Sequence, residues 1–226
     1  MNTIAVPESA SLTGAVARDA AWRSLYAYGI YRIVLSVSLA GAYWALGDVA
    51  FIGGFLPLLA RSTLVVYCAL SLILFSFTRM RTPGLEVQLT TQVIVDVVAI
   101  VAIMHASGGI RSGIGLLLLA MLAAAGQVSR GRMVYFHASI GVIALLLEQA
   151  AQVLQYEALP GEFFQAGLLS LGYFAIAWLA ATLARYARGA ERIAEERGVD
   201  LANMAQINEL VIRDMQDGFL VVDEKA

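Results

Sequence analysis

Charge is scarce in this chain. Of its 226 residues only 14% are Asp, Glu, Lys or Arg, where a soluble globular domain carries roughly 25%. The deficit excludes an ordinary water-soluble domain. With 60% hydrophobic residues and a mean hydropathy of +0.75, it places the chain in a membrane. Cysteine is scarcer still: Cys68 stands alone in an apolar segment, so no intrachain disulfide can form and packing, not redox chemistry, explains it. Lysine occurs once, at Lys225, against fourteen arginines. No basic patch with interleaved aromatics points to nucleic acid. No nucleophile elbow, P-loop or cysteine–histidine array points to an enzyme or metal site. A cleaved signal peptide needs an unbroken apolar stretch, and Arg32 interrupts the first one.

What is present is a series of apolar runs. Six are read as crossing a hydrocarbon layer of roughly 30 Å, which takes about 20 helical residues each. They are predicted at residues 25–46, 59–77, 87–106, 114–128, 133–153 and 163–186, after a polar tail at 1–24. Trp22, Tyr26 and Tyr28 at one end of the first run, and Tyr43 and Trp44 at the other, fit interfacial aromatic belts. Arg18, Arg23, Arg79, Arg81, Arg130, Arg132, Arg185 and Arg188 fall on one side of this arrangement. Arg61, Arg111 and the acids Asp48, Glu157 and Glu162 fall on the other. The positive-inside rule therefore predicts a multi-pass membrane protein with both termini cytoplasmic. There is no internal repeat of the transporter kind.

The chain is organised around residues 92–121, a membrane helix with Asp96 in its middle, a short glycine turn and a second apolar helix. A carboxylate at that depth is expensive and tends to be functional. Gln88, Gln92 and Asp96 are four residues apart, so they share one helical face, which should look into the bundle. Asp96 lies roughly 14 Å from the cytoplasmic end of its span at 1.5 Å per residue. Arg32 lies at matching depth in the first span, and an Arg32–Asp96 pair is the expectation, either as a structural bridge or as a switch that moves helices. His137, Gly141, Glu148 and Gln152 share a face of the fifth run, with Glu148 level with the outer loop that bears Arg111. His105 and His137 match no metal-ligand spacing and are read as interfacial histidines satisfied by water or backbone. Gly108, Gly109, Arg111, Ser112 and Glu148 form the candidate outer contact surface.

Beyond Arg188 the chain turns polar and helix-favouring. Leu201, Met204, Asn208, Val211 and Met215 follow alternating three- and four-residue steps, a heptad-like seam suited to a parallel homodimer. Asn208 can fix its register. Residues 218–223 (GFLVVD) read as a turn glycine followed by a β-type run.

Three pieces carry a resemblance: Gln92 with Asp96, residues 106–113 (ASGGIRSG) and residues 208–223 (NELVIRDMQDGFLVVD). Together they are similar to the type IV pilus sensor histidine kinases, the PilS family. The resemblance implies an all-α integral membrane fold. A six-helix transmembrane sensor leads through a cytoplasmic signalling helix, residues 187–216, into the first strand of a PAS domain that starts near residue 208. It further implies pilin as the in-membrane ligand, with Arg32 facing the buried acid of the pilin helix, and a cognate response regulator as the downstream partner. The sequence stops before the PAS core, the phosphoacceptor histidine and the ATP- and Mg-binding motifs. The chain is thus expected to be the sensor half, inactive as a kinase by itself and without a cofactor of its own. The Gly108–Gly109–Ser112 loop also resembles the quinone loop of RegB-type redox kinases, where Asn-Pro-Phe follows the glycines; here Ser112, Gly113 and Ile114 follow. A quinone sensor, or a small transporter with a regulatory tail, are the alternatives.

Overall fold

The computed structural model describes residues 8–46, 52–129, 131–156 and 160–216. These residues form six α-helices: α1 (Glu8–Leu46), α2 (Pro57–Met80), α3 (Leu85–Ala106), α4 (Leu116–Val128), α5 (Met133–Tyr156) and α6 (Pro160–Gln216). Among the described residues there is no strand. The third helix is rich in Val and Ile, which in water would favour a strand. Hydrocarbon reverses that preference, because an isolated segment there can satisfy its backbone groups only as a helix.

Five of the helices are long and apolar enough to cross a membrane; α4 is the exception at 13 residues, or about 20 Å at 1.5 Å per residue. The apolar run at 114–128 was expected to span in full. Its helix starts only at Leu116, because Gly113 has φ +72° and the chain still turns through Gly115. At the other extreme, α1 is helical from Glu8, so most of what reads as a polar tail extends the helix of the first span, whose apolar part begins at Arg18. The chain divides into two units, Met1–Ala184 and Arg185–Ala226. The β-type run at 218–223, together with Asp48, Arg130 and Glu157, lies outside the described residues.

Within the first unit α3 is the central post, packed against α1, α2, α4 and α5. Its Val93, Val97, Ile100, Ile103 and Met104 are buried, as are Leu64 on α2, Leu118, Met121 and Leu122 on α4, and Leu145 on α5. The lipid-facing sides remain apolar: Val34, Val37, Val65, Leu72, Leu147 and Leu171 are exposed. Helix α6 approaches α4 closely at Gly126, where a Cβ would meet the Ala180 Cβ at 3.2 Å and the Ala177 carbonyl at 3.3 Å. One turn-rich end carries Arg79, Arg81 and Arg132, and there Arg81 bonds Asp19 at 2.7 Å. At the opposite end the α1–α2 loop is tied to α3 by hydrogen bonds from the Phe55 and Leu56 N–H groups to the Ala106 carbonyl.

Candidate functional site

The polar residues of α1, α2 and α3 converge inside the first unit. On α1, Leu25, Tyr28, Arg32, Ser36 and Leu39 recur at three- and four-residue steps and are all buried, the spacing that puts side chains on one helical face. Arg32 reaches across to α3, where its Nε donates to Asp96 Oδ1 at 2.6 Å. The pair is enclosed, with side chains 1% and 0% exposed. The other carboxylate oxygen, Oδ2, accepts the Tyr28 hydroxyl at 2.6 Å. Charge-assisted contacts of this length are the strong class of hydrogen bond. Tyr28, expected at the membrane interface, is instead the second donor to Asp96. On α2, the Tyr67 hydroxyl faces the same pair without forming a hydrogen bond of good geometry.

The guanidinium is only half used. A side-on arginine–carboxylate pair normally engages two nitrogens. Here Tyr28 occupies the second oxygen, and Arg32 Nη1 and Nη2 are buried without a partner.

Gln88 and Gln92 lie on the same α3 face as Asp96, about two turns and one turn nearer the arginine-bearing end respectively. They converge on Thr78 of α2: the Gln88 amide donates to Thr78 Oγ1 at 2.8 Å and that of Gln92 at 3.0 Å. Thr78 in turn donates to the Leu74 carbonyl at 3.0 Å. A buried threonine hydroxyl thus links α2 to α3, a role that nothing in its sequence setting signals.

The opposite end has a separate cluster. His105 Nδ1 lies 3.0 Å from both oxygens of Glu148, and the Gln152 amide donates to Glu148 Oε1 at 2.8 Å. The Gln152 amide nitrogen also lies 3.3 Å from His105 Nδ1, so the three side chains close on one another. His105 is therefore satisfied by a carboxylate, and His137 by the hydroxyls of Ser129 at 2.9 Å and Thr90 at 3.1 Å. Both corrections share one cause: the partner side chains come from other elements, whose placement around the histidines sequence spacing does not fix.

Gly108 (φ +92°) and Gly109 (φ +75°) turn the chain out of α3 into a 3-10 turn, Gly109–Ser112. Positive φ of this kind favours glycine. Gly109 also abuts the cluster, since a Cβ there would meet the Gln152 side chain at 3.2 Å. Ser112 donates to the Gly109 carbonyl at 2.7 Å. Arg111, expected level with Glu148, forms an ion pair with Glu162 at the start of α6, and Glu148 belongs to His105. Among the described residues no group of three or more His, Cys, Asp or Glu could hold a metal ion.

In the second unit the helix runs unbroken to Gln216. Leu201 and Met204 of the expected seam are exposed in the single chain. Asn208, Val211 and Met215 are helical, and their side chains lie outside the described residues.

The family model described as the PilS-like transmembrane domain matches residues 15–194. Over 130 residues the chain is 34% identical to the sensor protein kinase PilS of Pseudomonas aeruginosa, a match that covers 58% of this chain and 24% of that protein. The match thus spans about a quarter of the relative's length. No solved structure matches.

Proposed function

Because the chain belongs to the PilS-like transmembrane domain family, we propose that it is the membrane input module of a two-component sensor histidine kinase, which detects pilin within the inner membrane and regulates its expression. The observation that carries the reading is the enclosed Arg32–Asp96 pair, with its bond to Tyr28 and its unpartnered Nη groups. Removing one member of a buried pair leaves an uncompensated charge, at a cost of about 3–5 kcal/mol. Helices α1 and α3 therefore stay together until something replaces the lost partner. A ligand helix that brings its own carboxylate lowers that cost, because the acid can take the Nη edge of Arg32. Such a ligand shifts the equilibrium by binding one helix arrangement better than the other.

The output runs through α6. Its second part is a polar helix with Leu201 and Met204 exposed, and pairing with a second copy through the 201–215 seam buries them. The kinase half, with its ATP and Mg, receives the movement and phosphorylates the cognate response regulator. The arginine-bearing end faces the cytoplasm, as do both termini. The pair is tested by Asp96→Asn in the protein with its kinase half attached, read by a pilin-promoter reporter. Output fixed at one level, with normal amounts in the membrane, is expected; output that still follows pilin would overturn the proposal. Contact with pilin is tested separately by a photocrosslinker near Arg32: the adduct should fall in Arg32→Leu, and an undiminished adduct counts against Arg32 as the contact.

A further inference from the structure

Eight buried side-chain atoms in the described residues have no hydrogen-bond partner, and six of them belong to one layer between α1, α2 and α3. They are Arg32 Nη1 and Nη2, the hydroxyls of Tyr67 and Ser71, and the Oε1 atoms of Gln88 and Gln92. Buried polar groups are satisfied in the great majority of cases, so six on one interface call for a common partner. The layer is lopsided. From the arginine-bearing end it runs through Thr78, Gln88, Gln92 and Ser71 to the Arg32–Asp96 pair and Tyr67. Beyond the pair the interior is mostly apolar: Leu39, Leu64, Ile100, Ile103 and Met104 are buried, and the one hydroxyl next along α1, that of Ser36, is spent on the Ile33 carbonyl at 3.0 Å.

The chemistry of the six atoms selects the partner. The guanidinium nitrogens only donate, and the amide oxygens only accept. An anion would serve the donors, leave both glutamine oxygens unanswered and add a net negative charge beside Asp96. A metal ion would serve the oxygens and be repelled by Arg32. Water both donates and accepts, and buried waters typically make about three hydrogen bonds to otherwise unsatisfied groups. We infer that this layer binds a file of water molecules, which enters from the arginine-bearing end and stops at the Arg32–Asp96 pair.

One consequence rests on the sensor reading given above; the hydration itself does not. Separating the pair in hydrocarbon leaves two charges without solvation. Water on the Nη side solvates the separated charges and makes the pair a workable switch.

The experiment uses two tyrosines of equal burial. Tyr67 and Tyr173 are 1% and 0% exposed, but Tyr173 donates to the Gly115 carbonyl at 2.8 Å while the Tyr67 hydroxyl is unpartnered. The whole chain in lipid nanodiscs is exposed to an X-ray pulse, and hydroxyl-radical labelling is read by mass spectrometry. Tyr67 should label several-fold faster than Tyr173. Met104, which is intrinsically more reactive than tyrosine, should stay protected beyond the pair. In Gln92→Leu, which removes an acceptor and narrows the file, Tyr67 should fall towards the rate of Tyr173. Equal protection of the two tyrosines would overturn the inference. So would labelling of Met104 alongside Tyr67, since water would then run the length of the bundle.

Discussion

Consider replacing Arg32 by Met and Asp96 by Leu, singly and together. Each single change leaves its former partner enclosed, because the two side chains are 1% and 0% exposed. Breaking a buried pair in this way costs about 3–5 kcal/mol. The two singles are not equal. A stranded carboxyl can shed its charge by taking up a proton, whereas a guanidinium cannot. Asp96→Leu, which strands Arg32, is therefore the more damaging and belongs near the top of that range. The double change removes both charges, and apolar replacement of a buried pair is often neutral or stabilising. It should recover most of the loss: with singles of about 3 and 5 kcal/mol and a double of about 1 kcal/mol, the double-mutant cycle gives a coupling of about 7 kcal/mol, above the usual range for residues in contact because each single strands a charge. The cycle can be measured as reversible unfolding in mixed micelles titrated with SDS and followed by circular dichroism. Single-mutant losses that add to within about 0.5 kcal/mol in the double would refute the pair as a linked unit.

Other outcomes follow from the same geometry. Tyr28→Phe removes one donor to a charged oxygen, so the same titration should show a loss of about 1.5–3 kcal/mol. Gly109→Ala should destabilise more than Gly108→Ala in that assay: both have positive φ, but only at Gly109 does the new Cβ press on Gln152. Substituting Arg111 by Ala should cost about 1 kcal/mol, since Arg111 is 58% exposed while its partner Glu162 is 14% exposed. Glu148→Leu, by contrast, strands the His105 and Gln152 donors and should cost more than Arg111→Ala by thermal unfolding. A cysteine at Met204 should form a disulfide-linked dimer under mild oxidation if the 201–215 seam pairs two copies; monomer alone at matched membrane density would argue against the seam.

The polar face of α3 was legible because Gln88, Gln92 and Asp96 repeat every four residues, and a bilayer forces such a face inward. The depth of Arg32 followed from counting along its run. The missing partners share a different origin. Tyr28 precedes Arg32 by four residues and so lies on its face, yet tyrosine near the end of a span reads first as an interface residue. Tyr67, Ser71 and Thr78 sit in a run whose composition is dominated by lipid-facing residues, and only the rotation of α2 turns them inward. The same holds for His105 with Glu148 and for Arg111 with Glu162: spacing gave their depth, and helix rotation chose their partners. The short α4 escaped because a count of apolar residues ignores where glycines delay the helix start.

The central claim is that the Arg32–Asp96 pair holds the bundle in one signalling state. Its most direct measurement is pilin-promoter output from the protein with its kinase half attached, carrying Asp96→Asn, with and without pilin, at matched membrane levels. The account predicts the same output in both conditions, because the pair that pilin must displace is already gone. A response to pilin as large as that of the unmodified protein would contradict it.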